Sequence, residues 1–368
     1  MLIAELEDQL VDAKNVERGR PFVCPGCHLP VRLRRGSRVQ PYFAHLPGAL
    51  CPLQNEAESQ QHVQGKRQLM TFFAAWGQPE LERILPKIQQ RADVWLVRKQ
   101  PIALEFQCSP ISRAEVASRT AGYRQLGVYP MWLLGKRYAK QRLTWRTLDR
   151  FASWLPGWGL CLLFWDVETC LLRVDHHLCQ VATGQFSWGT SYLRDVTDLQ
   201  SRSGVYLATP RPNLLAFRRQ LTADLQRESA GLRDVQEAVY LSGHHLAGFP
   251  EQLATMAVTP PGFGKGLLLW RVVMTAWLFQ TKQFDEQEVH RLSRAALILI
   301  GGQLQAVRFN VAPALQRAET TLLQDWVRLG KLERRSQGWQ VVGQPQWTAD
   351  LAAYLVRSAH GSRRGSKW

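Results

Sequence analysis

The stretch RADVWLVRKQPIALEFQCSP, residues 91–110, constrains this chain more than any other. Two apolar runs, read as strands over 92–97 and 102–107, flank the polar turn RKQP, the pattern of an antiparallel hairpin. Carboxylates are uncommon inside such strands, yet Asp93 opens the first and Glu105 lies within the second. With that turn, Asp93 falls opposite residue 105 or 106, so the two carboxylates approach across the ladder. Gln107, two residues beyond Glu105, shares its face. Two adjacent carboxylates repel unless something neutralises them. A hard cation such as Mg2+ or Mn2+ takes carboxylate oxygens and retains several waters, so it suits the pair.

The flanking segments supply a frame. In NEAESQQHVQGKRQLMTFFAAWG, Val63, Leu69, Met70 and Phe73 form a helical apolar stripe. Glu58, His62 and Lys66 follow at i, i+4 and i+8 and line another face, either an exposed charge ladder or a face turned toward the hairpin. LERILPKIQQ reads as a first strand despite Pro86. Beyond the hairpin, Ser112 and Glu115 form a capping box, Gly127 ends the helix they open, and VYPMWLLG reads as a buried strand. The order is helix, three strands, helix, strand.

Residues 22–52 carry a second constellation. Cys24 and Cys27 form a Cys-x2-Cys knuckle, VRLRRGSRVQPYFAH reads as two strands around Gly36-Ser37, and His45 and Cys51 follow. Two sulfurs from a knuckle plus a nitrogen and a sulfur from a second arm satisfy tetrahedral Zn2+. His28 is a rival ligand, but it directly follows Cys27, and adjacent ligands rarely reach one metal well. Four protein ligands leave no open position, so the expected role is structural, with the metal supplying folding energy to a short segment.

The helix–βββ–helix–β order with Asp-(x11)-Glu-x-Gln resembles the PD-(D/E)xK nuclease superfamily. FVCPGC, YFAH, ESQQHVQGK, RADV, ALEFQCS and SRTAGY, in that order, resemble the competence protein CoiA family over residues 20–135. That family joins a zinc-finger-like segment to a nuclease-like domain and is tied to natural transformation. The resemblance implies that Asp93 and Glu105 bind a divalent metal and that Gln107 replaces the superfamily lysine. It also implies auxiliary roles for Glu58 and His62, and a role for Lys66, Arg119 and Tyr123 in holding phosphate or orienting the site. The implied reaction is metal-dependent cleavage of incoming or recombining DNA, single- or double-stranded. The alternative is a non-cleaving recombination accessory, or an adaptor that recruits a recombinase. Gln107 is neutral and gives less electrostatic help than lysine, so the resemblance carries the fold further than the catalysis.

Charge agrees with a polyanionic partner: 46 basic against 30 acidic residues give a formal +16. No apolar run reaches the length of about 18 residues that suggests a membrane span. MLIAELEDQLVDAKN has no basic start before an apolar block, so the cytoplasm is the expected compartment. Seven cysteines without a secretion signal argue against a disulfide framework.

The expected class is α/β (α+β) and multidomain. A zinc-finger-like segment spans 1–54 and a restriction-endonuclease-like αβββαβ core 55–150. A β-rich connecting region follows over 151–210, then a largely helical domain over 211–358. The Gly/Ser/basic tail, 359–368, is expected to be disordered. Near the end of the helical domain, a helix followed by KLERRSQGWQVV resembles a winged helix, a fold that binds DNA or protein.

Overall fold

The computed structural model describes residues 1–36, 39–49, 51, 59–204, 213–255 and 257–364. The chain divides into two compact units, Met1–His177 with Gly189–Val205, and Leu178–Trp188 with Tyr206–Trp368.

The first unit opens with two hairpins, β1 (Ile3–Leu6) with β2 (Gln9–Asp12) and β3 (Val31–Gly36) with β4 (Val39–His45). Phe22, Val31, Leu33 and Phe43 form a small core between them. Helix α1 (Gln60–Phe72) follows, with Ser59 as N-cap accepting from the His62 N–H. The central sheet is mixed. Its strands are β5 (Gln78–Leu81), β6 (Val94–Val97), β7 (Ile102–Gln107), β8 (Tyr129–Leu134), β9 (Gly159–Asp166), β10 (Leu171–Gln180) and β11 (Phe186–Leu193). They lie in the order β11-β10-β9-β8-β7-β6-β5, with Ser153–Leu155 pairing on β9. β8 runs parallel to both β7 and β9. Helix α2 (Arg113–Gln125) crosses from β7 to β8, opened by the expected Ser112–Glu115 capping box and followed by Gly127 at φ +71°.

Strand alternation sorts side chains between the two helices. Val94, Leu96, Leu104 and Phe106 join a core that includes Leu69 and Phe73 of α1 and its C-cap. Trp95 and Ala103 pack instead with Tyr123 of α2. α1 lies close because Gly65 has no side chain: a Cβ there would sit 2.1 Å from the Phe106 ring. All six residues of β7 are buried, as befits a central strand covered on both faces.

Two sequence expectations change here. The first strand of the sheet is Gln78–Leu81, not LERILPKIQQ. Pro86 starts a 3-10 turn, and the short strands Ile84–Leu85 and Gln90–Arg91 pair with each other. Residues 151–210, read as a connecting region, supply β9, β10 and β11 to the same sheet.

The second unit is mainly helical, with α3 (Leu214–Gln226), α4 (Ala230–Leu241), α5 (Leu267–Leu278), α6 (Glu286–Leu299), α7 (Ala312–Arg328) and α8 (Leu351–Arg364). β12 (Gln283–Phe284), β13 (Leu332–Arg335) and β14 (Gly338–Val341) form a small antiparallel sheet in the order β12-β14-β13. Residues 359–364, expected within a disordered tail, continue α8.

Candidate functional site

The register places three carboxyl residues side by side. Leu81 pairs with Val94, and Val94 with Leu104. One step further along these ladders lie Glu82, Asp93 and Glu105, and the Glu82 N–H donates to the Asp93 carbonyl at 3.1 Å. The expected approach of Asp93 and Glu105 across the hairpin is present. Glu82 was not foreseen, because the short strand that it follows, Gln78–Leu81, has no alternating apolar signal.

Each carboxylate has its own neutralising set. Asp93 Oδ2 accepts from the Phe106 N–H at 2.9 Å and lies 3.0 Å from His62 Nε2. Burial alone would raise the Asp93 carboxyl, but His62, Lys66 and the Phe106 N–H together hold it well below the ordinary carboxylate range. Glu105, 3% exposed, accepts from the Tyr123 hydroxyl on Oε1 and from Arg119 Nη2 on Oε2. Burial pushes Glu105 up, Arg119 opposes it, and the Asp93 charge pushes it up again, so it stays above its usual range. Burial likewise raises the Tyr123 hydroxyl well above normal.

Three site residues have other partners than expected. Lys66 is fully buried, and its Nζ bonds Glu82 Oε1 rather than facing an open phosphate site. Arg119 and Tyr123, expected to hold phosphate or orient the site, direct their polar atoms at Glu105, and Arg119 also donates to the Arg91 carbonyl at 3.2 Å. Both sit beneath the surface, where a carboxylate that would otherwise be bare draws them in. Gln107 shares the Glu105 side of β7, and its Nε2 donates to the Ser109 carbonyl at 2.9 Å. Glu58 lies outside the described residues.

The donor set can take a divalent cation. Asp93 Oδ1 accepts no hydrogen bond from the described residues. Each Glu105 oxygen carries one donor and keeps a second lone pair. A cation that keeps several waters needs little more from the protein.

The second constellation assembles as expected. The ligand atoms of Cys24, Cys27, His45 and Cys51 lie within 4.8 Å of one another, and Cys27 Sγ is 3.3 Å from His45 Nε2. This Cys3His cluster can hold a structural metal. His28 is turned away, its ring 3.8 Å from Glu5 and largely exposed, which settles the rivalry for the fourth position. Burial pushes the Cys27 thiol up to about 12, and Cys51 and Cys24 add to the shift. Three thiols this close cannot all ionise without a cation among them. The segment is tied to the sheet unit through Arg67, whose guanidinium grips Asp12 at 2.8 and 2.5 Å, and through the Ile3 N–H on Glu82 at 3.2 Å.

A Cys3His segment joined to a mixed-sheet unit with hairpin carboxylates defines a nuclease-like protein in the structural sense. Residues 7–54 match the N-terminal domain of competence protein CoiA and residues 58–192 its nuclease-like domain, so the chain is similar to the CoiA family over these two segments. Over 118 residues it is 35% identical to the competence protein CoiA of Bacillus subtilis (strain 168). That alignment covers 32% of this chain and 32% of the relative, so it spans about a third of either protein. No solved structure matches. Among the described residues, no helix is long and apolar enough to cross a membrane.

Proposed function

We propose that this chain acts in natural competence as a divalent-cation-dependent phosphodiesterase on incoming or recombining DNA, with its site at Asp93 and Glu105. The observation that carries the reading is their position one step beyond the last rung of the β6–β7 hairpin, Val94 with Leu104, each within reach of the other's charge. Asp93 Oδ1 and a Glu105 oxygen would hold the cation. A divalent cation held there would supply an activated water and offset charge building on the phosphate.

The chain's own residues prepare that position. His62 and the Phe106 N–H anchor one Asp93 oxygen and leave the other directed at the site. Arg119 and Tyr123 fix the Glu105 carboxylate. Gln107 orients water or a phosphate oxygen through its amide. Lys66, buried on Glu82, contributes to keeping Asp93 ionised. The Cys3His cluster would hold Zn2+ in a closed, structural role.

A second reading, a DNA-binding recombination accessory that does not cleave, draws support from the donor that each Glu105 oxygen already accepts, one from Arg119 and one from Tyr123. Incubation of the purified full chain with circular single-stranded and supercoiled DNA and Mn2+ separates the two. Cleavage that disappears in Asp93→Asn and Glu105→Gln supports the first. Absence of cleavage of every DNA form under Mg2+ and Mn2+ supports the second.

A further inference from the structure

In the second unit, α5, β12, α6, α7, β13 and β14 follow one another, and β12 joins the β13–β14 hairpin as a third strand. The hairpin closes tightly on β12: a Cβ at Gly338, whose φ is +140°, would meet the Phe284 carbonyl oxygen at 2.4 Å. Trp270 of α5 donates to the Ser293 carbonyl of α6 at 3.1 Å, and Trp326 of α7 donates to Thr275 Oγ1 of α5 at 3.1 Å. The three helices are therefore pinned as a rigid base.

α7 buries Leu315, Leu322, Leu323 and Trp326 on one side. Its opposite side exposes Gln316, Arg317, Thr320, Thr321, Gln324 and Arg328. The charges divide sharply between the two. The helix has two carboxylates, and both are engaged. Glu319 is buried and 2.7 Å from His290, and Asp325 is held by Arg271 at 2.6 Å and by Arg328. Arg317 has no acidic partner among the described residues. The outward side thus offers Arg317, the Asp325-paired Arg328, two amides and two threonines, with Val327 and the C-cap Leu329 as its exposed large apolar side chains. A protein-docking helix would present an apolar stripe there. Beside it, the β13–β14 hairpin carries exposed Arg334 and Arg335, each paired at the surface with a glutamate, Glu286 and Glu333, that a phosphate would have to displace.

We propose that α7 enters the major groove of B-form duplex DNA, with the β13–β14 hairpin beside it on the phosphate backbone. A helix of about 10–12 Å diameter fits a groove about 12 Å wide. Gln and Arg read adenine and guanine edges, and Thr reaches phosphate or the thymine methyl. The second helix of a helix-turn-helix pair docks this way. This binding surface is separate from the hairpin carboxylates and does not depend on whether they cleave.

The test is fluorescence anisotropy of the full chain on a labelled DNA duplex, over a salt series without added divalent cations. Arg317→Glu is expected to weaken binding about tenfold or more and to reduce the salt slope by about 0.9 for each phosphate that is no longer neutralised. Arg219→Glu, an equal charge change on the exposed side of α3, is expected to cost less than about threefold. An A-form RNA duplex, whose deep, narrow major groove excludes a helix, is expected to bind more weakly and to be indifferent to Arg317. The proposal is overturned if wild type does not bind duplex DNA, or if Arg317→Glu, with an unchanged thermal melt, binds like wild type. It is equally overturned if Arg219→Glu loses as much, or if the RNA duplex matches the DNA.

Discussion

Replacing Arg119 with methionine isolates the electrostatics of the site. Arg119 and Glu105 are paired with side chains only 13% and 5% exposed, so solvent cannot take over when one partner leaves. Breaking a buried pair this way costs about 3–5 kcal/mol, because the surviving charge is left uncompensated. Tyr123 still donates to Glu105, which places the expected cost near the lower end, about 3 kcal/mol. Against a total of about 5–15 kcal/mol, that is a large share.

The cost also depends on pH. Glu105 already has a folded pKa above its unfolded value, so its favourable contribution is fully present below the unfolded pKa and is lost as pH rises through the folded one. Without Arg119 the folded pKa rises further, so acidification protonates Glu105 sooner than in wild type. Arg119→Met should therefore be most damaging in alkaline solution and progressively less so on acidification. Urea unfolding across a pH series measures this, with the m-value showing whether two-state behaviour is kept. Arg119→Met combined with Glu105→Gln should recover most of the loss. A cost below about 1 kcal/mol in alkaline solution, or one independent of pH, would refute the assignment of Arg119 as the counter-charge to Glu105.

Asp93 should behave in the opposite sense. Its depressed pKa contributes stability present above the unfolded value and lost as pH falls below it, so wild type should lose stability on acidification more steeply than Asp93→Asn in urea titrations. Equal slopes would contradict the strong stabilisation of its ionised form. Gly65→Ala should lower the melting temperature, since the new Cβ lies 2.1 Å from Phe106 and overpacking of about 1–3 kcal/mol outweighs a helix-propensity gain of about 1 kcal/mol. A stabilised variant would mean that α1 does not approach β7 so closely. Purified protein should contain one zinc per chain by elemental analysis, and Cys24→Ser should lose it along with thermal stability; zinc retained at full occupancy would exclude Cys24 as a ligand.

Local chemistry made part of this molecule readable in advance. The capping box at Ser112, the Gly127 stop, the strands flanking RKQP and the knuckle at Cys24 and Cys27 all depend on residues close in sequence, and each is present. Pairing partners on different elements were harder. Arg119 and Tyr123, four apart on α2, share a face by helix geometry, but only the packing of α2 on β7 turns that face toward Glu105. Lys66 was legible as a member of the α1 polar face, whereas its burial on Glu82 was not. Glu82 sits at a positive φ just after a four-residue strand that contains Pro79 and Glu80, so neither periodicity nor propensity marked it.

The central claim is that Asp93 and Glu105 share a divalent cation, and Mn2+ binding followed by electron paramagnetic resonance tests it most directly. The account predicts one Mn2+ bound per wild-type chain and none in Asp93→Asn or Glu105→Gln. No Mn2+ taken up by wild type, or equal uptake by all three proteins, would contradict it.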